Sequence, residues 1–232
     1  GRTQEGRARY ATAVQMARTL GDRDLECRAI NGLGSADLTE GRLDDALTQY
    51  ELALALAREI GDRRMQGSLL GNLGTVHTEA GRVDEAVSHY EEALALARET
   101  GHRVLEAGTL CNLGLLFTVL DRLAEADSAL RAAVVVAREL GHVRLESVVL
   151  CNLGIVKERL GLAHEAQMHF EAALHIAQAL GDPRYEGQFL GYLGLLQARQ
   201  GGQAEARRCF DTGEALLRSA CDPYALGVLL TS

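Results

Sequence analysis

Apolar residues return to one helical face at fixed steps along this chain. Between residues 43 and 60, Ala46, Tyr50, Ala53 and Ala57 fall at i, i+4, i+7 and i+11, the spacing of one face of an α-helix. Forty residues later the same face reads Ala86, Tyr90, Ala93 and Ala97, and then Ala126, Leu130 and Ala133. It recurs as Ala166, Phe170 and Ala173 and as Ala206, Phe210 and Gly213. Glycines keep the same interval. Gly21, Gly61, Gly101, Gly141 and Gly181 form one series, and Gly34, Gly74, Gly114, Gly154 and Gly194 a second. Gly41, Gly81, Gly161 and Gly201 form a third, with Asp121 in its missing place. Five units align without a gap, the mark of a repeat architecture.

Each unit predicts two helices. First helices are expected near 23–40, 63–80, 103–120, 143–160 and 183–200, and second helices near 43–60, 83–100, 123–140, 163–180 and 203–220. Asp45, Glu85, Glu125, Glu165 and Glu205 sit in the first turn of the second helices, and Arg58, Arg98, Arg138 and Arg218 in the last turn, as the helix dipole favours. The glycine that follows supplies a left-handed C-terminal cap. Asp182-Pro183 and Asp222-Pro223 read as an N-cap plus a first-turn proline. The second glycine series falls inside the first helices, where glycine costs about 1 kcal/mol relative to alanine. Five such violations imply that the bulky residue of the neighbouring second helix needs the room.

These columns resemble the tetratricopeptide repeat, with Leu73-Gly74, Ala86, Tyr90 and Ala93 carrying the pattern. The usual unit has about 34 residues. This one has the longer second helix of the class found in spindle-orientation scaffolds and bacterial multidomain regulators. The resemblance covers the whole chain. It implies an all-α fold, a right-handed superhelical solenoid of antiparallel helix pairs. One column departs from the family's frequent tyrosine and reads Asp37, His77, Phe117, Lys157 and Gln197. It is expected to vary freely and to tune a local surface.

The expected organisation is a single array over 1–232. Residues 1–20 align as the second helix of a truncated unit. Five full units follow at 21–60, 61–100, 101–140, 141–180 and 181–220, and 221–232 align as the start of a further first helix. Neither end reads as a polar capping element. The expectation is therefore a fragment of a larger protein.

Charge narrows the partner class. The net charge is −8, and an acidic chain gains little from counterion release on nucleic acid, so no direct nucleic-acid role is expected. The acidity is a gradient. Residues 1–20 carry +3, the five units carry −5, −3, −1, −1 and 0, and the last twelve residues carry −1. No run of ~20 apolar residues is present to span a membrane, and no signal peptide is visible. A cytoplasmic location is expected. The 23 arginines against a single lysine suggest a GC-rich, bacterial source.

Candidate chemistry is sparse. Gly32-Leu33-Gly34 mimics the start of a dinucleotide loop, but it falls inside a helix pattern and Asp37 stands where the last glycine belongs. No phosphate-loop, His-Glu-x-x-His or Gly-x-Ser-x-Gly sequence occurs. The five cysteines (Cys27, Cys111, Cys151, Cys209 and Cys221) are odd in number and lack Cys-x-x-Cys spacing. Cys111 and Cys151 occupy equivalent positions in adjacent units, where stacked helices ~8–10 Å apart exceed disulfide reach. His164 and His175 share one second helix three turns apart, a poor metal pair. The expectation is no catalytic residue, no cofactor and no metal.

In the resembling family the first helices line a concave groove. Carried over, its inner columns begin with Asn31, Gly71, Cys111, Cys151 and Gly191. The next reads Gly32, Asn72, Asn112, Asn152 and Tyr192, and a third Ser35, Thr75, Leu115, Ile155 and Leu195. Thr78, Thr118 and Glu158 fall in a fourth, and Glu79, Val119, Arg159 and Arg199 in a fifth. The asparagine ladder either hydrogen-bonds a peptide backbone or ties neighbouring helices together. Leu115, Ile155 and Leu195 either dock a partner or pack between first helices. The groove lacks a consistent lysine or arginine column, which argues against a carboxylate clamp. The reading is a non-catalytic protein–protein interaction scaffold that holds a peptide or helix in this groove, basic at the acidic end and apolar at the other. Its rival is a ligand- or peptide-sensing arm of a bacterial signalling ATPase or transcription regulator. Self-association through open array ends is a third outcome.

Overall fold

Eleven helices form among the described residues, and no strand does. They are α1 (Arg2–Leu20), α2 (Arg23–Thr39), α3 (Leu43–Ile60), α4 (Arg63–Glu79), α5 (Val83–Glu99) and α6 (Arg103–Val119), followed by α7 (Leu123–Glu139), α8 (Val143–Arg159), α9 (Ala163–Leu180), α10 (Pro183–Arg199) and α11 (Gln203–Ser219). The structure, a computed structural model, describes residues 2–220, with side chains from residue 4. Cys221, Asp222-Pro223 and the further first helix expected over 221–232 lie outside the described residues.

The turns work as the glycine series requires. Every glycine of the first and third series has positive φ, between 61° and 86°, and Asp121 takes the same left-handed conformation at 60°. After each second helix the residue that follows the glycine reaches back to the last turn. The Asp62 N–H donates to the Ala57 carbonyl at 3.0 Å and the His102 N–H to the Ala97 carbonyl at 2.7 Å. That residue then caps the following first helix. The Asp22, Asp62 and Asp182 carboxylates accept from the N–H of Leu25, Met65 and Tyr185. In the third and fourth units the cap is His102 or His142, whose Nδ1 accepts from Leu105 or Leu145 at 3.1 and 3.2 Å.

The described residues form two compact units, one up to residue 112 and the other from residue 113, with the boundary inside α6. In the first, α1 to α5 pack in series, each helix on the next. In the second, α7 to α11 do the same. The alanine column is fully buried in both, as at Ala46, Ala86, Ala126 and Ala166. The second glycine series meets the bulky column as expected. A Cβ added at Gly74 would stand 2.6 Å from the Tyr90 ring, and one at Gly154 2.5 Å from the Phe170 ring. Removing the Cβ lets the ring lie against the backbone of the partner helix.

Four of the five residues in the column expected to tune a local surface are buried instead, and Gln197 is half-buried. Asp37 is fully enclosed and accepts from Arg7 (2.7 Å) and Arg42 (3.0 Å). Lys157, 4% exposed, lies 2.9 Å from Asp127 and 3.1 Å from Glu165. Arg122 covers the Phe117 ring at 4.4 Å. The position is flanked by the preceding second helix and by the turn and helix that follow, so Asp37 and Lys157 each meet side chains of opposite charge from both sides.

Candidate binding surface

The first-helix face presents the predicted columns, and burial separates them. Cys111 and Cys151 are buried, as is Thr118, whose hydroxyl donates to the Gly114 carbonyl. These three offer a partner little surface. Asn72, Asn112, Asn152 and Tyr192 are half-buried.

In the first unit, Asn72 Nδ2 donates to Asn31 Oδ1 of α2 at 2.9 Å, so one arm of that amide ties neighbouring first helices. Beside it lies an open pocket of about 330 Å³ between α4 and α6. Ser68, Asn72 and Thr75 form one wall and Thr109 and Asn112 the other, with Gly71 and Gly108 leaving the space. A Cβ at Gly108 would meet nothing within 4 Å. Thr75 is held in place from behind, its hydroxyl 3.1 Å from that of Tyr90. Thr78 turns inward and donates to the Gly74 carbonyl at 2.8 Å.

In the second unit, Leu115 is 40% exposed, and Ile155 and Leu195 are half-buried. Their column is polar in the first two repeats for a reason visible only in the packing. The Tyr50 hydroxyl donates to Ser35 at 3.1 Å, as Tyr90 pairs with Thr75. In the later repeats the bulky column is Leu130, Phe170 and Phe210, with no hydroxyl to satisfy, and the facing column turns apolar. The Tyr192 ring stacks on Phe170 with centroids 5.9 Å apart. Arg159 reaches the Thr118 carbonyl and lies 2.9 Å from Asp121, while Arg199 lies 2.7 Å from Glu158. The Arg199 pair is exposed and so worth about 1 kcal/mol or less, which a ligand can displace.

Two features escaped the sequence reading. One is a clamp that joins a second helix to the next first helix at every described junction but that of α3 and α4, where Gln66 donates to the Ala57 carbonyl instead. Arg18–Glu26 (2.7 Å), Arg98–Glu106 (3.0 Å) and Arg138–Glu146 (2.7 Å) repeat it, and Gln178–Glu186 (3.3 Å) is its neutral form. The Arg18 guanidinium, seconded by Arg23, holds the Glu26 carboxyl below the usual carboxylate range. The periodic arginine and glutamate columns, eight residues apart, were the available signal. The other is a cavity of about 560 Å³ on the second-helix face, between α7 and α9 over α8. Its charges are already engaged, Arg131 with Asp127, Arg138 with Glu146 and Glu165 with Lys157, leaving Val135 and Met168 as its free apolar edge.

Among the described residues no three His, Cys, Asp or Glu side chains converge to hold a metal. Burial pushes the Cys27 thiol up to about 11 and also raises Cys151 and Cys209. No helix is long and apolar enough to cross a membrane, among the described residues.

The tetratricopeptide repeat profile matches residues 65–139 and 145–219, well over half of the chain. The chain belongs to the tetratricopeptide repeat family. No curated protein matches it in sequence. Among solved structures, this tetratricopeptide repeat chain resembles BtubC (BKLC) from P. vanneervenii at 25% identity and a TM-score of 0.83, covering 97% of this chain and 94% of that one. A Rap protein complexed with Competence and Sporulation Factor aligns at 17% identity and a TM-score of 0.77, over 88% of this chain but only 57% of that one. A putative kinesin light chain from Podospora anserina, with nearly identical TPR-like repeats, aligns at 16% identity and a TM-score of 0.68, over 83% and 95%. These likenesses establish the fold of the tetratricopeptide array.

Proposed function

We propose that this array is a non-catalytic interaction module that holds an extended peptide on its first-helix face. The observation that carries the reading is the pocket between α4 and α6. Two half-buried amides, Asn72 and Asn112, flank a floor left open by Gly71 and Gly108. An amide offers both a donor and an acceptor, which is what an extended backbone needs. The pocket suits a small or unbranched side chain set between two backbone contacts. The first unit is acidic, so the segment lying on it is basic. In the second unit, Leu115, Ile155 and Leu195 take an apolar segment, each buried side chain contributing about 1.5–3 kcal/mol.

The test is direct binding to an arrayed library of short peptides, followed by Asn112→Ala and Gly108→Val. Each variant is expected to weaken the captured peptides about tenfold, the loss of one good polar contact or of the pocket volume. Captured peptides that bind both variants unchanged would overturn the groove reading. For the second unit, Leu115→Asp with Ile155→Asp is expected to abolish apolar capture with helicity intact. Loss of fold would assign both residues to the core.

The sensing reading keeps one point of support, since the Rap fold hosts a complexed factor. It requires flanking domains, and those, with the fragment status and a cytoplasmic location, belong to the proposal. Sedimentation checks the third outcome. A concentration-independent monomer excludes self-association through the array ends.

A further inference from the structure

The second repeat carries two histidines that the groove reading does not use. His77 lies in the last turn of α4 and His89 in the middle of α5. Their rings stack with centroids 4.9 Å apart and planes at 18°. His77 is 7% exposed, and its Nδ1 has no hydrogen-bond partner. His89 Nδ1 lies 2.7 Å from the Glu85 carbonyl, which can only accept, so that nitrogen carries the proton. The groups facing His77 come from three elements: Glu51 of α3, Glu85 and His89 of α5, and Arg82 of the α4–α5 turn. Burial is the largest influence and disfavours the imidazolium. His89 and Arg82 add to it, and the two glutamates do not offset it, so His77 is held below its ordinary value of 6.5. The pair is not a metal site. Stacked rings direct their in-plane lone pairs side by side, and no third ligand converges.

The stack bears on the pocket wall. Tyr90, the residue after His89, places its hydroxyl 3.1 Å from Thr75 Oγ1. Thr75 and Asn72 line the pocket from the helix that carries His77. We propose that the His77–His89 stack is an acid-sensitive latch that holds α4 against α5 and so sets the pocket wall formed by Asn72 and Thr75. With His77 uncharged the two rings pack face to face. An opened His77 takes up a proton near 6.5, whereas the closed one resists until a lower pH. The latch is therefore fully closed above 6.5 and loosens as the pH falls below it. Each unit of pH lowers the closed-to-open ratio by up to about tenfold, until His77 is protonated in the closed form as well. The effect on binding rests on the groove reading, and the opening does not.

Amide hydrogen exchange of the full chain without ligand, corrected for intrinsic rates, tests the latch between about pH 7.5 and about pH 5. Protection over 72–90 is expected to fall relative to α2 and α3, by up to about tenfold for each pH unit below 6.5 until the closed His77 is protonated as well. His77→Phe, which installs the residue found at position 117, is expected to abolish that difference. Should His77→Phe not fold, His77→Gln, which installs the residue found at position 197, replaces it. The same pH dependence in the variant would overturn the latch, as would a His77 imidazole titrating at or above its ordinary value by NMR. Peptide affinity over the same range separates the two ideas. Opening with unchanged affinity removes the coupling to the groove, and opening with parallel loss of affinity supports both.

Discussion

Alanine in place of glycine should have opposite effects at two positions of this array. Gly108 of α6 and Gly154 of α8 are both interior to first helices. In a helix interior the substitution gains about 1 kcal/mol from backbone entropy and propensity. At Gly108 nothing stands within 4 Å of the new Cβ, so the gain is kept. At Gly154 the Cβ would stand 2.5 and 2.6 Å from two Phe170 ring carbons. Ordinary carbon contacts are near 3.5–4.0 Å, so a ring with no exposed surface would have to retreat by about 1 Å. Overpacking of this kind costs about 3 kcal/mol, the upper part of its usual range. The net expectation is about 1 kcal/mol of stabilisation for Gly108→Ala and about 2 kcal/mol of destabilisation for Gly154→Ala. Calorimetry should then separate the two variants by roughly 6–12 °C. Combining Gly154→Ala with Phe170→Ala should erase the cost of the alanine, since the partner that clashes is gone. Melting shifts of the same sign in both single variants would refute the assignment of the glycine column to ring contact.

The remaining predictions concern the caps, the clamp, the groove and the latch. His142→Asp supplies α8 with the carboxylate cap of its counterparts and a favourable charge at its N-terminus, and should raise stability by about 0.5–1 kcal/mol in urea titration. The Glu26 carboxyl is held low by Arg18, so its contribution is present above 4.5 and is lost as the pH falls through the depressed value. Glu26→Gln should remove that part of the acid dependence of unfolding while leaving the rest. In the groove, Asn112→Ala and Gly108→Val should weaken bound peptide about tenfold in fluorescence polarisation. His77→Phe should flatten the loss of protection in α4 and α5 on acidification, read by hydrogen exchange.

The helix boundaries, the glycine turns and the glycine–ring contacts were all legible in the chain because they are local or strictly periodic. A left-handed residue must end each helix, and the interval of forty marks where. Even Asp121, the one break in its series, takes the conformation its place requires, with φ at 60°. The contact between Gly154 and Phe170 follows from two columns sixteen residues apart in every unit.

The candidate site was legible only in outline. The columns brought together Asn72, Asn112 and Leu115, which keep exposed surface, and Cys111, Cys151 and Thr118, which are buried. Periodicity places a residue on a helix but leaves open which arc of that helix its neighbours cover. The column of Asp37, His77, Phe117 and Lys157 shows the limit. Read along the chain it looks unconstrained. In the folded protein Asp37 is enclosed by Arg7, thirty residues away, and by Arg42, and Lys157 sits between Asp127 and Glu165. The polar-to-apolar change from Ser35 and Thr75 to Leu115, Ile155 and Leu195 follows in the same way from whether a tyrosine hydroxyl stands opposite. Propensity and period act within a few turns of one helix and can be read in order. The burial of a charge, the match of a hydroxyl and the opening of a pocket depend on which side chains arrive from other helices, and packing alone sets that.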